Sequence, residues 1–309
     1  MRAIVQRRFG GPEVLEVAEV DRPLPVPSEV LVRVRAVGLN PVELAIRSGA
    51  FPLLGPPPFI LGWDVSGVVA EVVPGVNRFR PGDEVYGMPF FPRPASTYAE
   101  FVAAPSRQLA RKPAGISHEQ AAAIPLAGLT AWQSLVDVAE VGPGQRVLIH
   151  GAGGGVGHLA VQIAKHFGAY VIGTASASKA EFVTGLGADE VIDYAAHDFA
   201  DVVGDIDVVL EVIGGDYALR SLSVLRPGGW LLTAVERSNL ALADQVTAAG
   251  RHFAGITVEP DHVGLERLAE LVEAGDLRIH VAAAFGMADA AKAHAALAAS
   301  PQGKLVLTV

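Results

Sequence analysis

The chain has 309 residues, and at roughly 150 residues per domain this length predicts two domains, each able to bury its own core. Half the residues are hydrophobic and 18% are charged; that is too apolar for disorder, yet no run approaches the roughly 18 apolar residues of a membrane span. Asp and Glu number 33 against 24 Lys and Arg, so a general basic footprint for nucleic acid is missing. Cys is absent, which removes disulfides, thiolate nucleophiles and cysteine-held zinc. The apolar stretch inside Met1–Arg8 is too short for a signal peptide, and the expected compartment is the cytoplasm.

From Met1 to about Pro113, short β-type runs at Arg2–Val5, Val30–Val37 and Val65–Val73 are separated by Pro and Gly clusters. This pattern predicts an irregular, mostly β first domain. After about Ile116 the texture changes to short apolar strands alternating with Ala-rich helical stretches, the pattern of a parallel α/β sheet. Strands are expected at Arg146–His150, Ala169–Thr174, Glu190–Asp193, Asp207–Val212, Trp230–Ala234 and Gly255–Val258, as in a doubly wound domain. The tail carries a helix at Ala288–Ala299 and a final strand at Lys304–Val309, which would return to complete the first domain.

The strongest local signal is the strand Arg146–His150, the glycine turn 151–157 (GAGGGVG) and a helical run to Gly168. A strand, a glycine turn and a helix in this order aim backbone N–H groups and a helix N-terminus at one point, where a pyrophosphate can bind. The matching register is Ala152, Gly154, Gly157, with Ala in place of the first glycine. The other reading is a simple strand-to-helix turn; the surrounding helix face of Val156, Leu159 or Ala160, Ile163 and Phe167, and the prompt second strand, favour a dinucleotide. An acid that would hold the adenosine ribose is absent from the end of the second strand, where residues 173–179 read GTASASK. Hydroxyls and a cation there attract a 2′-phosphate, so NADPH is expected over NADH. Alternatively Ser176 and Ser178 cap the next helix and Lys179 is a surface charge.

Eight segments then resemble the medium-chain dehydrogenase/reductase superfamily, in its zinc-independent quinone oxidoreductase branch. They are residues 38–43 (GLNPVE), 61–67 (LGWDVSG), 81–87 (PGDEVYG), 97–100 (TYAE), 127–132 (AGLTAW), the glycine turn, 187–194 (GADEVIDY) and 303–307 (GKLVL). The resemblance implies an α/β fold in which a Rossmann doubly wound parallel sheet is inserted in a GroES-like, mostly β barrel domain. The expected division is 1–121, first part of the GroES-like substrate domain; 122–261, the NADPH-binding Rossmann domain; and 262–309, the returning segment. It also implies an active site in the interdomain cleft and a homodimer.

By the same resemblance, Lys179 and Tyr194, with Gly173 and Ser176 beside them, match residues that bind the 2′-phosphate. Thr130 matches a nicotinamide-side contact, and Gly154, Gly155 and Val156 match the pyrophosphate turn. Ile213 and Ala234 match the strand ends under the nicotinamide ring. Lys304 matches a tail position that reaches the cofactor, or is simply a charge at a strand start. Asn40 matches an active-site Asn, with a loop cap as the alternative. Glu43 stands where relatives carry Asp; it orients Asn40, holds the cofactor ribose, or serves as a helix-start carboxylate. Phe51, Trp63 and Phe90, with Met88 and Phe91, are candidates for an apolar pocket wall or for ordinary core. Tyr86 and Tyr98 are assigned to the barrel core. Zinc-using members place Cys where this chain has Asn40 and a His-Glu pair where it has Trp63-Asp64, so no metal is expected.

Without a metal, alcohol oxidation needs another group to take the proton, and no Tyr-Lys pair or activated His is evident. Reduction of a conjugated carbonyl or quinone is less demanding, because hydrogen-bond donors can stabilise the enolate or phenolate. The expected activity is therefore NADPH-dependent hydride transfer to a small apolar quinone or α,β-unsaturated carbonyl. The rival readings are an enoyl-thioester reductase of a biosynthetic pathway and a non-catalytic NADPH-binding protein.

Overall fold

A computed structural model describes residues 1–309. Two compact units emerge: Met1–Leu129 with Glu259–Ala274 and Ile279–Val309, and Thr130–Val258 with Gly275–Arg278. The chain passes between them at Leu129/Thr130, inside the helix Pro125–Trp132, and not at residue 122.

The second unit is a six-stranded parallel sheet built from Arg146–Ile149, Tyr170–Ala175, Glu190–Asp193, Ile206–Glu211, Leu225–Thr233 and His252–Gly255. Counted within the sheet, the strands lie in the order 3-2-1-4-5-6, the doubly wound arrangement in which ligands bind beyond the strand ends at the reversal between 1 and 4. Because helices cover both faces of such a sheet, its strands read as continuous apolar runs; every residue of Ile206–Glu211 is buried. Leu148, Ile172, Val209 and Leu231 meet Phe199 and Val246 in the core.

The sixth strand corrects the expectation of Gly255–Val258. Its pairing runs from Trp230↔His252 to Thr233↔Gly255, where the neighbouring strand ends. The helix after the glycine turn, Gly157–His166, also differs from the one-sided pattern expected of it. It is buried from Gly157 through Ala164 because residues 275–278 cover its outer side: Gln162 Nε2 donates to the Arg278 carbonyl and its Oε1 accepts from the Arg278 N–H, both at 2.9 Å.

The first unit centres on the strand Glu29–Gly38, which pairs antiparallel with Val65–Val72, with Phe101–Pro105 and with the final strand Lys304–Thr308. The tail thus completes this sheet, as expected, and Val281–Gly286, which the sequence pattern does not reveal, adds in parallel at its edge. A three-stranded sheet of Leu15–Glu19, Arg2–Gln6 and Phe59–Ile60 accompanies it. No helix is long and apolar enough to cross a membrane.

Candidate active site and cofactor site

In the first unit, Gly38 ends the central strand against other backbone: a Cβ there would lie 2.2 Å from the Ala122 carbonyl oxygen and 2.8 Å from Asp64 Oδ2. Only glycine lets the chain pass, and the next turn delivers Asn40 to the start of the helix Pro41–Ser48. The Asn40 side chain does not cap this helix. Its Oδ1 accepts from Lys304 Nζ at 2.6 Å, and its Nδ2 donates to Asp64 Oδ2 at 3.0 Å. These partners fix which end of the amide is oxygen.

Lys304 is 3% exposed, and its ammonium donates to the Leu39 carbonyl at 2.7 Å, to Asn40 and, at 3.4 Å, to Asp64. Its three N–H bonds are therefore directed at this turn. Asp64 is wholly buried; its Oδ1 accepts from the Leu126 N–H, and burial raises its pKa against the pull of Lys304.

Glu43, also wholly buried, accepts through one oxygen, Oε2, from the Asn40 N–H at 3.0 Å and from the Tyr98 hydroxyl at 2.7 Å. Oε1 has no partner. Burial pushes its pKa up to about 8, the two hydrogen bonds opposing the rise. Of the three readings of Glu43, the helix-start carboxylate and the orienter of Asn40 describe this geometry together. Tyr98 does lie in the core, but its hydroxyl also meets His294 Nε2 at 3.0 Å, and Arg47 Nη1 lies 3.2 Å from His294 Nδ1. Arg47, Asp64, Tyr98 and His294 were not among the candidates for the site. Asp64 and Tyr98 lie inside the segments 61–67 and 97–100; His294 lies in an Ala-rich helix with nothing in its spacing to mark it.

Of the apolar candidates, Trp63 is fully buried, donating Nε1–H to the Arg93 carbonyl at 2.8 Å and packing edge-on against Phe91. Phe51 and Phe90 are half-buried.

In the second unit, Gly151 takes a left-handed φ of 65°, and a Cβ on Gly157 would lie 2.2 Å from the Gly151 carbonyl oxygen. The helix therefore starts pressed against the turn. The amides of His158, Leu159 and Ala160 are already bonded to the Gly154 and Val156 carbonyls, and those of Gly155, Val156 and Gly157 precede the first bonded turn. Ala152 can replace the first glycine because Gly173 stands opposite; a Cβ on Gly173 would meet the Ala152 methyl at 2.7 Å. This bare cradle fits a dinucleotide pyrophosphate.

Ser176, Lys179 and Tyr194 gather at the ends of the neighbouring second and third strands: Ala175 pairs with Asp193, and the Tyr194 N–H donates to the Ala175 carbonyl. Ser176 makes no side-chain cap; its hydroxyl meets that of Ser178 at 3.0 Å. The Lys179 stem lies over Gly153, and partial burial lowers its pKa. Tyr194 is exposed. Thr130 is buried at the start of this unit.

A carboxylate that no sequence motif marks organises the end of the fourth strand, across the order reversal from the glycine turn. Glu211 ends the fourth strand, fully buried, and its Oε1 accepts the N–H groups of Ile213 and Gly214 while Oε2 accepts the Thr233 hydroxyl at 2.8 Å. The Ala234 N–H donates to the Glu211 carbonyl at 3.1 Å. One residue thus sets both Ile213 and Ala234, and Ile213 reaches Gly151, where a Cβ would lie 2.8 Å from its Cδ1.

No group of three or more His, Asp, Glu and Cys is placed to hold a metal ion. At the Asn40–Asp64 turn the oxygen atoms already surround the Lys304 ammonium.

The architecture, with its nucleotide crevice and separate polar cluster, is that of a two-domain dehydrogenase/reductase. Residues 26–114 match the alcohol dehydrogenase GroES-like domain family, and residues 186–307 match the family described as zinc-binding dehydrogenase. The chain is 37% identical to the quinone oxidoreductase of Pseudomonas aeruginosa, covering 94% of each. It is 35% identical to a 2-haloacrylate reductase of a Burkholderia species, over 95% of this chain and 94% of the other. The crystal structure of Escherichia coli quinone oxidoreductase complexed with NADPH superposes with a TM-score of 0.89 at 30% identity, all of both chains being covered. The chain belongs to the medium-chain dehydrogenase/reductase superfamily, in its quinone oxidoreductase-like branch. It is an oxidoreductase with a nicotinamide cofactor site.

Proposed function

We propose that this protein reduces quinones or α,β-unsaturated carbonyls with NADPH and without zinc. The observation that carries the reading is the Asn40 amide. Lys304 holds its oxygen and Asp64 takes one Nδ2 hydrogen, so what Asn40 offers a substrate is the remaining N–H, a donor. A donor held rigidly against a carbonyl oxygen stabilises the negative charge that develops there as hydride adds to the conjugated carbon. Bound NADPH supplies that hydride.

The chain's own residues do the rest by orientation. Gly154, Gly155, Val156 and the helix start at Gly157 would hold the pyrophosphate, Lys179 with Ser176, Tyr194 and Gly173 the 2′-phosphate, and Ile213, Ala234 and Thr130 the nicotinamide end. Glu43 fixes the backbone of Asn40, and Lys304 acts on Asn40 where the sequence suggests a cofactor contact. Phe51 and Phe90 offer apolar surface for a substrate ring or chain. The names of the relatives support both substrate classes, one a quinone oxidoreductase and the other a 2-haloacrylate reductase; the NADPH complex supports the cofactor.

The test is a turnover assay following loss of dihydronicotinamide absorbance, with NADPH against NADH and a panel of quinones, alkenals and enoyl thioesters. A higher kcat/KM with NADPH, on quinones or alkenals, is expected. Preference for enoyl thioesters would reassign the substrate, and NADPH binding with no turnover on any of them would overturn the enzymatic reading.

A further inference from the structure

The cluster behind Asn40 has a direction. Arg47 can only donate, so His294 Nδ1, 3.2 Å away, accepts. A neutral ring then carries its proton on Nε2 and donates it to the Tyr98 oxygen at 3.0 Å. The Tyr98 proton is left to point at Glu43 Oε2, 2.7 Å away, the same oxygen that receives the Asn40 N–H. Every hydrogen along Arg47–His294–Tyr98 is thus aimed toward Glu43, and no second arrangement keeps all the bonds. Burial, and secondarily the Arg47 charge, brings the His294 pKa down to about 3, which keeps the ring in this neutral form. The chain is tied down at its outer end as well: Arg47 Nε donates to the Gly10 carbonyl, and Gln6 Nε2 donates to the Arg47 carbonyl.

We propose that Tyr98 and His294 are positioning residues for the reduction: through Glu43 they hold the turn that presents the Asn40 amide to the substrate oxygen. The inference rests on the reading of Asn40 as the donor in the proposed function. His294 lies 247 residues beyond Arg47, so the returning tail reaches Asn40 twice, through Lys304 on its side chain and through His294, by way of Tyr98 and Glu43, on its backbone.

The arrangement makes the pH profile informative. The charged or titratable groups facing Glu43 are Tyr98, Asp64 and Lys304; those facing the outer end of the chain are Arg47, His294 and Glu13. Glu43 stays a neutral acid until about pH 8. Its ionisation would place a second carboxylate beside Asp64, near the point where the substrate oxygen gains negative charge, and so slow the reaction. The Tyr98 hydrogen bond is the largest influence pulling this pKa down, so removing it moves the alkaline limb upward.

The experiment compares kcat, KM for NADPH and the pH profile of kcat/KM in the wild type and in Tyr98→Phe, His294→Leu, His294→Gln and Asn40→Ala, with folding checked by thermal unfolding. In Tyr98→Phe and His294→Leu, kcat is expected to drop by roughly tenfold with KM for NADPH unchanged. The alkaline limb should shift to higher pH in Tyr98→Phe, and His294→Gln, whose amide nitrogen can replace Nε2–H, should recover activity. Folded Tyr98→Phe and His294→Leu proteins with wild-type kcat and an unmoved limb, while Asn40→Ala is slow, would overturn this inference alone. An Asn40→Ala enzyme as fast as the wild type, or a wild type without turnover, would instead overturn the reading of Asn40 and this inference with it. Should Tyr98→Phe not fold, the contrast between His294→Leu and His294→Gln decides: equal activities reject the positioning role, and rescue by Gln supports it.

Discussion

The Lys304 ammonium donates to Asn40 Oδ1 at 2.6 Å across a separation of 264 residues, joining the first residue of the last strand to the turn after the central one. The same ammonium lies 3.4 Å from a fully buried Asp64. Removing it in Lys304→Met would leave that carboxylate buried without a cation, a change that typically costs about 3–5 kcal/mol. Denaturant unfolding should show that loss, and the double variant Lys304→Met with Asp64→Asn should recover much of it. Additive losses in the two single variants would show that the pair is not coupled.

Glu211 is expected to be sensitive in a different way. Its carboxylate serves the two amides of Ile213 and Gly214 and the Thr233 hydroxyl. Gln retains an oxygen for the amides, but the Thr233 hydroxyl already accepts the Val235 and Glu236 N–H groups and needs an acceptor for its hydrogen, so Glu211→Gln strands that one group and should lose about 1–2 kcal/mol. Glu211→Ala strands all three groups and should lose at least about 2 kcal/mol. If Ile213 and Ala234 support the nicotinamide, Glu211→Gln should lower kcat more than it raises the KM for NADPH. Equal changes in both would argue that Glu211 only stabilises the sheet end.

Most of the second unit was readable because its strands announce themselves: a parallel sheet buried on both faces forces continuous apolar runs, and glycine marks each close approach. The return of Lys304–Thr308 to the first unit was readable as well. Val281–Gly286 was not, since its Ala-rich run has little β character and becomes a strand by pairing with the last one. The site divides on similar lines. Asn40, Lys179 and the glycine turn lie in local patterns, whereas the partners of Asn40 come from residues 64 and 304, and the support for Glu43 comes from residues 98 and 294. Those contacts depend on tertiary folding, and a buried His or Glu leaves no periodicity by which to find it.

The 2′-phosphate assignment makes a prediction of sign. The Lys179 stem leans over Gly153, three residues after Ser176, and Tyr194 at the neighbouring strand end is exposed. Lys179→Glu places a negative charge where a dianionic phosphate would sit, so affinity for NADPH should fall by about tenfold or more while NADH changes little. Binding measured by quenching of protein fluorescence separates the two cofactors without needing turnover. Equal losses for both would reject the assignment.

The last prediction concerns acid stability. His150 is wholly buried, with Nε2 3.0 Å from the Ser221 hydroxyl and Nδ1 3.3 Å from the Thr174 hydroxyl, which itself accepts the Gly151 N–H at 3.2 Å. Burial takes its pKa down from 6.5 to about 3, as it does for His294. Both rings are neutral in the folded protein and protonated in the unfolded chain below pH 6.5. Their contribution to stability is therefore complete above 6.5 and is lost as the pH falls toward 3. Glu43 has the opposite sign: with its pKa raised from 4.5 to about 8, it lowers stability as the pH rises through that interval. Replacing one histidine by neutral Gln removes one proton from the linkage, so the unfolding free energy of His150→Gln or His294→Gln should fall less steeply with acid than that of the wild type. The difference in slope should approach about 1.4 kcal/mol per pH unit for each ring. Urea titrations at several pH values between 6.5 and 3 read that difference directly, and parallel curves for wild type and variant would mean that the substituted ring takes its proton in the folded state as readily as in the unfolded one.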